Sequence, residues 1–284
     1  MGIKMQIHKI INNNIVYAIN EHGVEIIVMG RGLGFQKKPG QIINEAQIEK
    51  VYVLEEADQL ERFKTLIESI PLEHITVSSE IIDYAKSVIT RRINESIYIT
   101  LTDHINFSVE RAKQGMLFSN PLLIEVKTFY PSEYLIGEYA TALIENKLGV
   151  KATEDEAATI ALHLVNAEFN TDMSDTMHIT SLIREVLEIV RGDMNSDIDE
   201  KSLHYCRFVT HMKFMVQRLF AGQLLNNNEE EFANMITSLY PKEYNCANKI
   251  AEFIKEKYEY VLPKEELAYL TVHIKRIQPD TKDE

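Results

Sequence analysis

The chain has 284 residues, 45% hydrophobic and 26% charged, with a net charge of −13; this allows two or three packed domains and is not the composition of a disordered protein. No apolar run approaches the roughly 20 residues that a bilayer requires, and no signal-peptide pattern follows the start, so the expected compartment is the cytoplasm, with no membrane insertion. Cys206 and Cys246 lie far apart with no CxxC pattern and no matching histidine spacing, which points to reduced thiols and away from a disulfide or zinc framework.

Charge is unevenly spread. Up to Leu54, Lys4, Lys9, Arg31, Lys37, Lys38 and Lys50 face Glu21, Glu25, Glu45 and Glu49, a balance of +2 that leaves −15 for the remainder. A mildly basic head on an acidic body suits a small polyanion-binding module joined to domains that bind something else.

In chain order the head reads as β. Lys9 to Ile11 runs into the turn-forming Asn12-Asn13-Asn14, and Ile15 to Ile19 is a second apolar run. A turn over Asn20 to Gly23, a third strand from Val24 to Met29, the glycine-rich loop Gly30 to Phe35, and a fourth strand from Ile48 to Leu54 follow. So small a sheet buries too little to be stable alone, and dimerisation is the expected remedy.

Gly30, Gly32 and Gly34 imitate a dinucleotide fingerprint, but that motif must open a helix, and Gln36-Lys37-Lys38-Pro39-Gly40 cannot continue as one. A flexible backbone flanked by Arg31, Lys37 and Lys38 is instead suited to an irregular RNA hairpin. Phe35 would be its stacking ring and the Asn12 to Asn14 amides its base-edge readers.

Helical periodicity begins beyond Glu56, is interrupted at Pro71, and resumes as a helix from Ser79 to Arg92. The strongest pattern is an internal repeat with an offset of about 110 residues. Tyr98, His104, Phe107 and Arg111 in YITLTDHINFSVER return as Tyr205, His211, Phe214 and Arg218 in YCRFVTHMKFMVQR; Tyr130-Pro131 returns as Tyr240-Pro241, and Glu156 and His163 as Glu266 and His273. Two homologous all-α domains are therefore expected, at 70–174 and 175–284, behind a β head at 1–60. Thr153 and Glu156 form a candidate capping box for the helix carrying His163.

Four histidines thus occupy duplicated positions. Zinc would need more ligands than either copy offers. Asp103-His104 reverses the His-Asp doublet of helical metal phosphohydrolases, and no nucleophile or cofactor loop accompanies the pairs; neither an enzyme nor a bound cofactor or metal is expected. Phosphoryl acceptance fits better: a neutral imidazole nitrogen is a nucleophile near neutral pH, and the phosphohistidine adds close to two negative charges at a packed surface. The alternatives are a duplicated helical metal-dependent hydrolase with a β accessory, and a DNA-binding regulator, for which the β-rich head is the wrong type.

The segments INNN, VMGRGLGFQKK, IEKVY, SIYITLTDHINFSVER, EDEAATIALHLVNAE, SLHYCRFVTHMKF and YLTVHIKR resemble the BglG/SacY/LicT family of bacterial transcriptional antiterminators, its β-glucoside members in particular. The likeness covers nearly the whole chain from Met5, with Met1 to Lys4 extending past the family's usual start. It implies a small antiparallel β RNA-binding domain followed by two helical-bundle regulation domains. The implied function is to bind, as a homodimer, a hairpin in nascent leader mRNA and so prevent a terminator from forming. By motif, the RNA contacts fall on Lys9, Asn14, Gly30, Arg31 and Phe35, with Asn12, Asn13 and Gly32 as neighbours. The phosphoacceptors fall on His104, His163, His211 and His273. The implied phosphoryl donors are the sugar-specific permease for the first domain, inhibitory, and the phosphocarrier HPr for the second, activating.

Overall fold

In a computed structural model, residues 5–53, 57–116, 118–194, 198–220 and 230–278 are described. The chain divides into two compact units: the first runs to Leu123 and includes Tyr130–Thr171, while the second comprises Ile124–Phe129 and everything from Asp172 onward.

The first unit opens with an antiparallel meander, β1 (Gln6–Ile10), β2 (Ile15–Ile19), β3 (Glu25–Met29) and β4 (Lys50–Tyr52), in sheet order β1-β2-β3-β4. β2 lies as expected. β1 starts three residues earlier than the sequence reading because the segment at 40–43 pairs with its outer edge, Ile7 N–H donating to Gln41 O at 2.9 Å and Ile43 N–H to Met5 O at 2.9 Å. β4 is shorter than the expected Ile48 to Leu54, since a 3₁₀ turn at Glu45–Gln47, capped by the Asn44 side chain, occupies the approach; Leu54 lies outside the described residues.

Strand period two sorts the side chains of β2 and β3 onto opposite faces. Val16, Ala18, Ile26 and Val28 pack with Met5, Ile7, Leu33 and Ile43 in a small core closed by the head's own loops. Ile15, Tyr17, Ile27 and Met29 join Tyr52 in the main core, where they meet helices α1 (Ala57–Ser69), α2 (Leu72–Val88) and α3 (Ile97–Lys113). The marginal sheet is therefore covered by helices of its own chain. Tyr52 ties the layers together: its ring stands edge-on to Phe63 at 5.0 Å and to Tyr98 at 5.1 Å, and its hydroxyl lies 2.5 Å from Ser79 Oγ. Burial, followed by the nearby Asp83 charge and offset only in part by Ser79, pushes the Tyr52 phenol up to about 12.

Pro71 separates α1 from α2 but starts the second helix rather than preceding a loop, with the φ of −55° at which its ring is pre-set. The helix expected from Ser79 to Arg92 is thus α2, beginning at Leu72 and ending at Val88, where Ile89 turns to extended backbone and closes the last turn onto Ala85 O.

Repetition is visible element by element. α3, α4 (Leu123–Phe129), α5 (Pro131–Leu148) and α6 (Glu154–Phe169) correspond to α8 (Leu203–Phe220), α9 (Glu230–Leu239), α10 (Pro241–Tyr258) and α11 (Lys264–Ile277), and α7 (Met173–Met194) opens the second copy as α2 does the first. α5 and α10 each hold 18 residues and begin with proline after a tyrosine in nearly the same conformation, φ −127° at Tyr130 and −129° at Tyr240. The two cysteines are free, Cys206 exposed and Cys246 buried. Among the described residues no helix is long and apolar enough to cross a membrane.

Candidate functional sites

The head brings together two segments 18 residues apart in sequence. The β1–β2 turn is built by asparagine side chains: Asn12 Oδ1 accepts from the N–H of Asn14 and of Ile15, both at 2.9 Å. Asn14 Oδ1 accepts from Gly32 N–H at 2.8 Å, while the Asn14 and Asn13 carbonyls accept from Gly30 and Gly34 N–H at 2.8 and 2.9 Å. The glycine loop is consequently not the flexible backbone expected from its composition. A Cβ on Gly30 would stand 1.8 Å from Gln47 O, and one on Gly34 2.3 Å from Asn12 O, so glycine here serves close packing of backbone on backbone.

This scaffold decides which expected RNA residues are free to act. Arg31 and Phe35 project from the loop as exposed side chains, Phe35 at 56% exposure. Asn13 is exposed, and Gly32, at φ +68°, has open space on its Cβ side. The side-chain oxygens of Asn12 and Asn14 help to build this junction, which leaves their amide NH₂ groups and the second lone pair of Asn14 Oδ1 as the atoms available to base edges. Gly30 is buried and contributes geometry alone. Lys9 does not join the loop; its ammonium pairs with Glu68 of α1 at 3.0 Å.

The histidine sites lie inside the helical repeats. α3 and α6 bring the rings of His104 and His163 to 4.8 Å between centroids; α8 and α11 stack His211 on His273 at 4.5 Å. Both sites are completed by the repeated glutamate and arginine. His104 Nε2 is 3.1 Å from Glu156 Oε2, and Arg111 Nη2 donates to Glu156 Oε1. In the second copy Arg218 Nη2 donates to Glu266 Oε1 at 2.6 Å, but His211 Nε2 lies 3.8 Å from Glu266 Oε2. Glu156 is thus no part of a capping box. Thr153 is the N-cap of α6 without a side-chain bond, and the carboxylate that would reach back to it is held across the bundle by His104 and Arg111.

Electrostatics follow this geometry. Burial alone would raise the Glu156 carboxyl, but hydrogen bonds from His104 and Ser108 and the charges of His104 and Arg111 outweigh it and hold the group below its ordinary range. Burial, helped by the neighbouring His104, holds His163 well below 6.5. Burial, then His273 and Arg218, takes His211 down to about 3, and burial with Arg276 lowers His273. These rings are neutral near pH 7, the form with a nucleophilic lone pair. The sequence had flagged the four histidines; the Glu–Arg partnership was written in the same repeat spacing yet not read as a unit. Among the described residues no group of three His, Cys, Asp or Glu side chains is placed to hold a metal ion.

A CAT RNA binding domain model matches residues 5–61, and a PRD domain model matches 79–167 and 184–277. Transcription antiterminator LicT of Bacillus subtilis is 46% identical over 96% of this chain and 99% of its own length, and the beta-glucoside operon antiterminator of Dickeya chrysanthemi is 42% identical over 99% of each. The crystal structure of GlcT CAT-PRDI, 31% identical, superposes with a TM-score of 0.53, covering 58% of this chain and 98% of that one.

Proposed function

The chain belongs to the BglG/SacY/LicT family of transcription antiterminators, and from that premise we propose that it binds, as a homodimer, an imperfect hairpin in a nascent leader transcript. Bound there, it prevents the overlapping terminator from forming and so activates sugar genes, β-glucoside genes by its likeness to LicT. The observation that carries this reading is the locked junction of the Asn12–Asn14 turn with the glycine loop, which presents Arg31 and Phe35 outward from a rigid base. Such a base suits an RNA with splayed bases: the ring stacks on a base, the guanidinium takes a phosphate or base edge, and little ordering entropy is lost on binding.

The three functional parts are 1–60 for RNA and 70–174 and 175–284 for regulation. His104, His163, His211 and His273 accept phosphoryl groups, from the sugar-specific permease in the first regulatory domain and from HPr in the second, in the cytoplasm. The sign, inhibitory on the first and activating on the second, follows the family; its physical basis is new charge at packed helical surfaces that biases the dimer.

Fluorescence anisotropy of the full-length dimer, its second domain phosphorylated by HPr, tests the RNA reading on a leader hairpin with internal loops against its fully paired control. Selective binding is expected, weakened about tenfold or more by Phe35→Ala or Arg31→Ala, the scale of one lost stacking or guanidinium contact. Equal affinity for both RNAs would end the antiterminator reading. Glutamate substitutions at His211 and His273 that change neither dimerisation nor RNA affinity would end the regulatory one.

A further inference from the structure

Each histidine site already contains an anion. In the first copy one carboxylate oxygen of Glu156 meets His104 Nε2 and the other meets Arg111; the same three residue types recur as His211, Glu266 and Arg218. We propose that Glu156 and Glu266 are positioning residues that hold, in the unphosphorylated chain, the place taken by a phosphoryl group on Nε2 of His104 or His211. Phosphorylation would then exchange one anion for another on Arg111 or Arg218. The inference rests on the phosphoacceptor reading above and adds the group that must yield.

An ionised carboxylate can only accept, so with Glu156 in place a proton sits on His104 Nε2 and that nitrogen has no free lone pair. Nε2 becomes a nucleophile only when the carboxylate withdraws and the proton moves to Nδ1. At His211 the Nδ1 atom is buried without a hydrogen-bond partner, which leaves Nε2 as the edge open to a donor. The Nε2 lone pair attacks phosphorus, an N–P bond forms and the bond from phosphorus to the donor breaks. With phosphoramidate as donor, ammonia departs with that electron pair. The ring is left cationic, with its proton retained on Nδ1. The new phosphoryl oxygens lie where the carboxylate was, within reach of a guanidinium suited to them.

The two copies differ in how firmly the carboxylate is held. Glu156 is bound by His104 and by Arg111, and buried Ser108 nearby favours its charged form. Met215 occupies the repeat position of Ser108, and Glu266 Oε2, like Arg218 Nε, has no hydrogen-bond partner. Glu266 is therefore the readier to leave, and Arg218 retains a donor for a phosphoryl oxygen.

The test incubates the full-length protein with phosphoramidate and follows each phosphohistidine by mass spectrometry of peptides kept at alkaline pH. In the unmodified chain His211 is expected to label about tenfold faster than His104, the scale of one charge-assisted hydrogen bond. Glu156→Gln, which keeps the shape and removes the charge, should bring His104 up to the rate of His211. Ser108→Ala should raise it by a smaller factor, and buried His74, bonded to Asn106 in the same domain, should stay unlabelled throughout. Arg111→Gln should shorten the lifetime of phospho-His104. Equal labelling of His104 and His211 in the unmodified chain, a His104 rate unchanged or lowered by both Glu156→Gln and Ser108→Ala, or His74 labelled in parallel would overturn the inference while leaving the phosphoacceptor reading in place. No labelling at His104, His163, His211 or His273 in the unmodified chain would overturn both.

Discussion

The two histidine sites are copies of one design that differ in one decisive neighbour. Ser108 in the first favours the charged form of the buried glutamate; Met215 in the second is fully buried and apolar and cannot. The carboxylate of Glu156 is within hydrogen-bond distance of its histidine at 3.1 Å, whereas that of Glu266 stands off at 3.8 Å. A duplicated site can thus keep every charged residue and still diverge in tightness, because a buried charge is governed by how completely its hydrogen bonds are met.

The sharpest way to break this comparison is to remove each arginine. Arg218→Leu leaves Glu266, 0% exposed, as a buried carboxylate with no adequate partner, and should cost the second domain about 3–5 kcal/mol. Arg111→Leu should cost less, since His104 remains 3.1 Å from Glu156. Hydrogen exchange resolved to α6 and α11 measures each domain separately, and the reverse order would refute the assignment of the second site as the looser.

Acid provides the next largest effect. His163, His211 and His273 have folded pKa values depressed below 6.5, so as pH falls through 6.5 the unfolded chain takes up protons that the folded chain refuses. The stability they contribute is present above 6.5 and lost below it, at roughly 1.4 kcal/mol per pH unit for a fully buried ring. His211 and His273 together should make the second domain fall more steeply than the first between pH 6.5 and 4.5, with His273 contributing a reduced share because it is only partly buried. Below about 4.5 the depressed carboxyl of Glu156 adds its own loss to the first domain. Urea titrations at stepped pH on the unmodified chain and on His211→Asn check this; an unchanged slope in the variant contradicts it.

Ser108→Ala should cost the first domain about 1 kcal/mol, the scale of one polar contact to a charged group, and the same substitution should reduce the difference between the two sites. The smallest effect lies at the helix ends. α5 terminates on Gly149 at φ 66°, and α10 on Glu259 at φ 60°, a left-handed conformation that a side chain disfavours. Glu259→Gly should stabilise the second domain by about 0.5–1 kcal/mol after the added freedom of the unfolded chain is deducted. A loss of stability in thermal melts would show that the Glu259 side chain makes a compensating contact.

Much of the architecture was legible in the primary structure, for reasons that differ by element. β2 was placed correctly because Ile15 to Ile19 is an apolar run between two asparagine-marked turns, both signals being local. α2 was misplaced at both ends, since Pro71 starts a helix as readily as it stops one and the choice depends on what Leu72 to Ser78 can bury. The glycine loop misled in a similar way: Gly30, Gly32 and Gly34 read as flexibility, whereas Gly30 and Gly34 are there because the Gln47 and Asn12 carbonyls come too close for a Cβ.

Sequence alone determined the kinds of element, their duplication and the four repeated histidines, because periodicity, turn chemistry and repeat spacing are properties of neighbouring residues. Tertiary structure decided that one face of the head's sheet is covered by α1, α2 and α3, and that Asn12 and Asn14 build the loop they were expected to serve as readers. It also decided that Glu156 leaves its own helix end to hold His104 and Arg111. Each outcome depends on which distant backbone or charge arrives within hydrogen-bond reach, and that distance is created only when the helices pack.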